Sequence, residues 1–280
     1  MRIGPYDVIA LETGRFALDG GAMFGSVPKT IWNKTNPADD QNRVELALRI
    51  LLIRAGERKI LVDVGAGHVF SPKWEEIYRL DHRQSTLKKS LESQGIIPEQ
   101  ITDVILTHLH FDHAGGVAEY SDDRLRLTFP RATHYVQQSH WEWALKPSEK
   151  DRASFLKETV ESLQGSAQVR ILGGPGELFP GFHLMLSNGH TPGLQMVRIQ
   201  DQSRVLLYCS DLLPTASHLP LPFLMGYDLF PLTTLEEKRS VLTQACEERW
   251  TIALEHDPHH EAIRIRRGEK NLEVEESLVL

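Results

Sequence analysis

Residues Thr107–Gly116 read THLHFDHAGG and directly follow the apolar run Val104-Ile105-Leu106. His108, His110, Asp112 and His113 thus fall within six consecutive positions at the end of an expected strand. In an extended segment alternate side chains share a side, so His108 and His110 can converge on one ion. Asp112 and His113 follow where the chain turns through Ala114-Gly115-Gly116, and can face a second ion. A lone buried histidine is ordinarily a hydrogen-bonded structural group. Four metal-capable groups in one short loop are a different matter, and this spacing is read as a metal site.

Working outward, Val44–Arg54 and the ILVDVGAG stretch read as two strands joined by a polar turn at Gly56, the second ending at Asp63 and Gly65. FSPKWEEIYRL and QSTLKKSLESQG have helical spacing, and Gly95 closes the second. A helical start at Pro98 leads into the strand Asp103–Leu106. THYVQQ reads as a strand, and residues 139–165 as helical material interrupted near Pro147, a cap-like segment. The second half repeats the theme with VRILGG, FHLMLSNGHTPG, QMVRIQ, RVLLYCSD, a helix over LEEKRSVLTQACEERW and the strand TIALEH. Two strands therefore deliver an aspartate at their C-terminal ends, as in a pair of related α/β halves.

The whole chain of 280 residues is expected to form one large α/β domain with residues 1–43 as an N-terminal extension. A net charge of -7 argues against a phosphate-backbone ligand, and Arg264, Arg266 and Arg267 read as a solvated strand face. No nucleic acid and no membrane partner is expected, since no apolar run approaches the roughly 20 residues of a spanning helix. The N-terminal stretch MRIGPYDVIALETGRF lacks a basic segment before an apolar core, so a cytoplasmic protein is expected. Cys209 and Cys246 are read as free thiols, Cys209 as a small buried apolar residue. The apolar content of the N-terminal segment is compatible with a homodimer.

A catalytic metal of the zinc type needs at least three protein ligands, and further ones stand at strand ends. GHTPG offers His190, YCSD offers Asp211, and EHDPHH offers His256, with His259 and His260 as competitors beyond Pro258. His256 is preferred because it ends the strand.

VDVG, THLHFDHAGG, GHTPG, CSD and EHD, in this order over about Val44 to His256, resemble the metallo-β-lactamase superfamily of metal-dependent hydrolases. The resemblance implies a four-layer αβ/βα sandwich. It also implies that His108, His110 and His190 bind one metal, that Asp112, His113 and His256 bind a second, and that Asp211 bridges both. Asp63 would hold the metal loop by hydrogen bonds. These nitrogen and oxygen donors suit two divalent ions, zinc first, with Fe, Mn, Co or Ni also admissible. A water shared by two such ions ionises near neutral pH, which makes hydrolysis the expected chemistry, with Asp112 or Asp211 passing a proton to the leaving group.

The segments GGAMFGSVPKTIWNKTNPADDQNR and SDLLPTASHLPLPFLMGYDL resemble the branch containing N-acyl-homoserine lactonases, so the expected substrate is a small lactone or carboxylic ester. Met23, Phe24, Trp32, Phe223, Leu224 and Met225 would supply an apolar groove for an acyl chain. Those lactonases carry a tyrosine three residues after the bridging aspartate, and here that position is Pro214. Tyr227 or His218 is expected to take its place. The competing readings are a phosphotriester hydrolase, a thioesterase resembling glyoxalase II, and a non-enzymatic di-iron redox module. A β-lactamase and an RNA-processing nuclease fit the ligand set and the acidic charge less well.

Overall fold

The computed structural model describes residues Met1–Leu280. It contains two large mixed sheets, each of seven strands, with helices inserted between strands, as the α/β sandwich class requires. The chain divides into two compact units. The first comprises Met1–Arg15 and Leu48–Gly174, and the second comprises Phe16–Ala47 and Pro175–Leu280. The expected extension is no appendage, because Tyr6–Asp19 is a strand of 14 residues in the first sheet, beside Arg43–Ala55. Its mixture of buried and half-buried positions is masked in the sequence by Gly14 and several charged residues.

In the first sheet Arg58–Val62, Asp103–Ile105, Thr133–Gln137 and Val169–Leu172 run parallel in that order. Parallel neighbours need long crossovers, and the helices Pro72–Tyr78, Leu87–Ser93, Gln138–Leu145 and Lys157–Gln164 lie in them. Strands covered on both faces read as unbroken apolar runs, and Val104, Ile105 and Leu106 are fully buried. The core cluster of Val104 and Leu106 includes Ile50, Leu52, Leu61, Leu91 and Leu109.

The second sheet is an antiparallel meander with one parallel pair, Val205–Tyr208 beside Thr251–Ala253. The helix Pro231–Glu247 makes that crossover, starting with proline at its first position, where a missing N–H costs nothing. Val241, Leu242 and Ala245 of this helix pack with Leu207, Cys209, Trp250 and Ile252. The hairpin Ala262–Arg267 with Leu272–Leu278 closes the sheet. It pairs Arg264 with Glu276 and Arg266 with Glu273, while Arg267 meets Glu247 of the long helix. Exposed pairs of this kind are each worth about 1 kcal/mol or less, so the basic cluster is a solvated strand face.

Candidate metal centre

In the first unit, two parallel strands end side by side and deliver the histidine-rich loop. Arg58–Val62 runs into Asp63, whose backbone adopts φ 59, a left-handed conformation disfavoured for a side chain larger than glycine. This turn buries the Asp63 carboxylate completely. One oxygen accepts from the Thr107 backbone N–H at 2.7 Å, and the other accepts from the Thr107 hydroxyl at 2.7 Å. That second oxygen also meets His113 Nδ1 at 3.1 Å. A single carboxylate thereby fixes both ends of THLHFDH, the function expected of Asp63.

Within the loop the rings crowd together. His108 lies 4.4 Å from His110 and 3.9 Å from His113, centroid to centroid. His113 Nε2 is 3.8 Å from the Asp112 carboxylate. Thr107 Oγ1 meets His108 Nδ1 at 3.1 Å, so the outward nitrogens of His108 and His113 both face partners that orient the ring. His108, His110, Asp112 and His113 are all buried.

The segment 139–165 touches this loop twice. The Leu109 N–H donates to His140 Nε2 at 2.8 Å, and Phe155 forms a bridge with His110 and lies edge-on to its ring at 4.9 Å. Sequence reasoning misses His140, because SHWEWAL carries a helix signal and nothing in its spacing marks a link to the loop. Tyr78 stacks on Phe111 at 4.5 Å, and its phenol is raised above the usual range by burial and by the Asp112 charge.

In the second unit, three strand ends converge on one carboxylate. Ser210 takes a left-handed conformation, φ 49, directly after Val205–Tyr208 and Cys209, and so turns Asp211 inward. His190 Nε2 lies 3.1 Å from Asp211 Oδ2, and His256 Nε2 lies 3.2 Å from Asp211 Oδ1. Each carboxylate oxygen thus faces a different imidazole. The outward nitrogens are again committed, His190 Nδ1 to Asp228 at 3.1 Å and His256 Nδ1 to the Ala47 carbonyl at 2.9 Å. Asp228 also accepts from the Met225 N–H at 3.1 Å. It stands 38 residues from His190, a separation no local pattern discloses.

The loop before His190 is held by Glu237, which accepts from the N–H groups of Asn188 and Gly189 and from the Ser187 hydroxyl. Gly189 is required there, since a Cβ would run into the Thr234 backbone. His259 and His260 donate backbone N–H groups to Asp257, and His260 Nδ1 meets Ser277, so neither shares the position of His256 at Asp211. Cys209 is buried and its thiol is pushed up to about 12 by desolvation, which leaves it protonated and inert.

Two groups of residues expected to contact substrate have structural partners. His218 is buried, with Nδ1 at 2.8 Å from the Thr215 hydroxyl and Nε2 at 2.9 Å from the Met23 carbonyl. Both nitrogens are used, and burial holds the ring neutral by lowering its pKa to about 4. His218 therefore fastens the N-terminal segment through both ring nitrogens, while its ring borders the cleft at Asp211. Met23, Phe24 and Trp32 are likewise buried, with Phe24 stacked between Trp32 at 5.3 Å and His218 at 4.6 Å. Their apolar surface is consumed inside the unit, which removes the groove expected from these three. Phe223, Leu224 and Met225 do line a narrow cleft with Asp211 and Pro214.

With histidines and aspartates delivered at the C-terminal ends of strands in two mixed sheets, the fold and donors define a class. Residues 49–256 match the model of the metallo-β-lactamase superfamily, and the chain belongs to that superfamily. Among curated relatives it is similar to the N-acyl homoserine lactonase of Bacillus cereus, 28% identical over 59% of this chain and 63% of that protein. It is also similar to the N-acyl homoserine lactonase AttM of Rhizobium radiobacter, 24% identical over 60% and 62%. The chain spans about three fifths of the length of these curated relatives. Among solved structures, a probable metal-dependent hydrolase from Staphylococcus aureus has a TM-score of 0.89 and 26% identity, with each chain covered in full. The dizinc quorum-quenching lactonase AidC, solved with a product, has the same fold, at a TM-score of 0.83 and 22% identity over 100% of this chain and 97% of that one. No helix is long and apolar enough to cross a membrane.

Proposed function

We propose that this protein is a dinuclear metal-dependent hydrolase acting on a small lactone, of the N-acyl-homoserine lactone class. The observation that carries the reading is Asp211, whose two oxygens each face the Nε2 of a different histidine, the arrangement a carboxylate needs to serve two ions at once. His108, His110 and His190 would hold one ion, and Asp112, His113 and His256 the other. The donors are all imidazole or carboxylate, which favours zinc while admitting Fe, Mn, Co or Ni. Bound there, the ions would supply Lewis acidity and a water ionised near neutral pH.

The chain's own groups do the rest. Asp63 and Asp228 keep His113 and His190 in the orientation that points Nε2 inward. Asp112 and Asp211 retain slight exposure, 7% and 6%, and are placed to pass a proton to the leaving oxygen. Tyr227, one residue from the His190 partner Asp228, is our choice for the phenol that orients the carbonyl in place of the missing tyrosine at Pro214. Phe223 and Leu224, half-buried beside Asp211, are our choice for the side chains that an acyl chain would meet.

The curated similarity to lactonases supports the substrate class. Purified, zinc-loaded protein assayed with an acyl-homoserine lactone, an acyl thioester and an aryl phosphotriester tests it. The lactone should give the highest kcat/KM. A preference for the phosphotriester or the thioester would replace this reading with the corresponding hydrolase.

A further inference from the structure

The helix Pro231–Glu247 carries Leu235, Arg239 and Thr243 at four-residue intervals, a single stripe along its surface. That stripe, the loop Leu219–Pro222 and the hairpin turn Arg267–Leu272 bound a cavity of about 630 Å³ within the second unit. Small-molecule sites occupy roughly 300–1,000 Å³. Leu219, Leu221, Leu235 and Leu272 give it apolar walls, and Arg239, Arg267 and Lys270 line it with cations unaccompanied by any carboxylate. Arg267 is already paired with Glu247 at 2.9 Å, whereas Arg239 and Lys270 take part in no ion pair. In a chain with a net charge of -7, these two exposed cations stand beside an apolar recess.

From this geometry we infer that the cavity is a second ligand site, for an amphiphile with an anionic head and an acyl chain. Arg239 and Lys270 take the head, and the leucines take the chain. A neutral lipid would make no use of the two cations, and a purely polar anion would make no use of the leucine walls. The site is distinct from the cleft at Asp211, although one loop serves both. Leu219–Pro222 faces the cavity and Phe223–Met225 faces the cleft. Lys238 ties the two stretches together by donating to the Pro220 carbonyl at 3.0 Å and the Phe223 carbonyl at 2.8 Å. The inference stands independently of the reaction proposed above.

Isothermal titration of the full-length, metal-loaded protein with decanoate, decyl phosphate and decanol, each below its micelle concentration, tests it. Saturable binding of at least one of the two anions is expected, tighter than decanol by about tenfold or more, the weight of a charge-assisted hydrogen bond. The tighter anion identifies the head group as carboxylate or phosphate. The double variant Arg239→Glu/Lys270→Glu should lose that anion binding by about tenfold or more while its thermal unfolding and zinc content stay as in the parent. Leu235→Trp, which fills the cavity without altering charge, should weaken the same binding. Absence of saturable binding, decanol binding as tightly as the anions, or an unchanged affinity in the charge-reversed variant would each overturn the inference, the last by placing the ligand elsewhere on the chain.

Discussion

The proposed centre depends on Asp211, whose carboxylate meets two imidazoles, one per oxygen. Asp211→Ala or His108→Ala should abolish hydrolysis and lower bound metal, whereas Cys209→Ser, at a buried protonated thiol, should leave both nearly intact. Activity assays paired with metal quantification decide this. One step further out, Asp228→Asn keeps the shape but exchanges a carboxylate for an amide at His190 Nδ1. A loss of about 10–100-fold in zinc affinity is expected, as for other carboxylates behind ligating histidines. An unchanged affinity in a chelator competition would show that Asp228 does not orient the ring. The residues bracketing the metal loop are legible in the sequence because strand ends and short spacing announce them. His140, Asp228 and Glu237 are not, since each reaches its partner across a long separation that only the folded chain closes. His218 misleads for the opposite reason. A histidine near a candidate site invites a chemical role, yet burial and two hydrogen bonds use up its nitrogens.

At the scale of elements, strands with continuous apolar runs are readable from sequence, because strands covered on both faces leave no alternation to misread. Tyr6–Asp19 is lost among its charged residues and Gly14, and the hairpin Ala118–Ser121 with Arg124–Leu127 is lost because its positions are largely solvated. The turn between them holds Asp122 and Asp123 at φ 50 and φ 56, a conformation aspartate tolerates better than most residues. Two elements carry predictions of their own. Gly67 has φ +68, and an added Cβ would lie 2.6 Å from the Gly115 carbonyl oxygen behind the metal loop. Gly67→Ala should therefore cost about 2 kcal/mol or more in denaturant titration, and a neutral result would contradict the packing. Lys238 is buried in the long helix and its two carbonyl contacts hold the loop that lines both cavity and cleft. Lys238→Met should raise KM by about tenfold with zinc content preserved, since it strands buried acceptors and frees the loop. A fall in kcat alone would contradict a role in shaping the cleft.

For the molecule as a whole, pH should act through histidines held neutral by burial. His82, His134 and His218 are each lowered from an ordinary value of 6.5 to about 4, desolvation being the largest cause in every case. The unfolded chain takes up these protons below pH 6.5 while the folded chain refuses them until about pH 4. Stability should accordingly fall as pH drops through that interval, by at most roughly 3 kcal/mol for a fully buried ring and less for the half-buried His82. Urea midpoints measured from about pH 7.5 to about pH 4.5 check the sign, and a flat profile would contradict it. The sandwich class and family are legible in the sequence, because five short motifs in fixed order place donors at strand ends. The pair of α/β halves is legible as well, but the assembly of each unit from two separate chain segments is not, since it depends on which residues meet after folding. The central claim is that Asp211 joins histidines from separate strands into one dinuclear hydrolytic centre. It is tested most directly by metal quantification coupled to acyl-homoserine lactone hydrolysis in zinc-reconstituted parent and Asp211→Ala proteins. The account predicts two zinc ions per chain with turnover in the parent, and loss of at least one ion with loss of turnover in the variant. Full metal content and full activity in Asp211→Ala would contradict it.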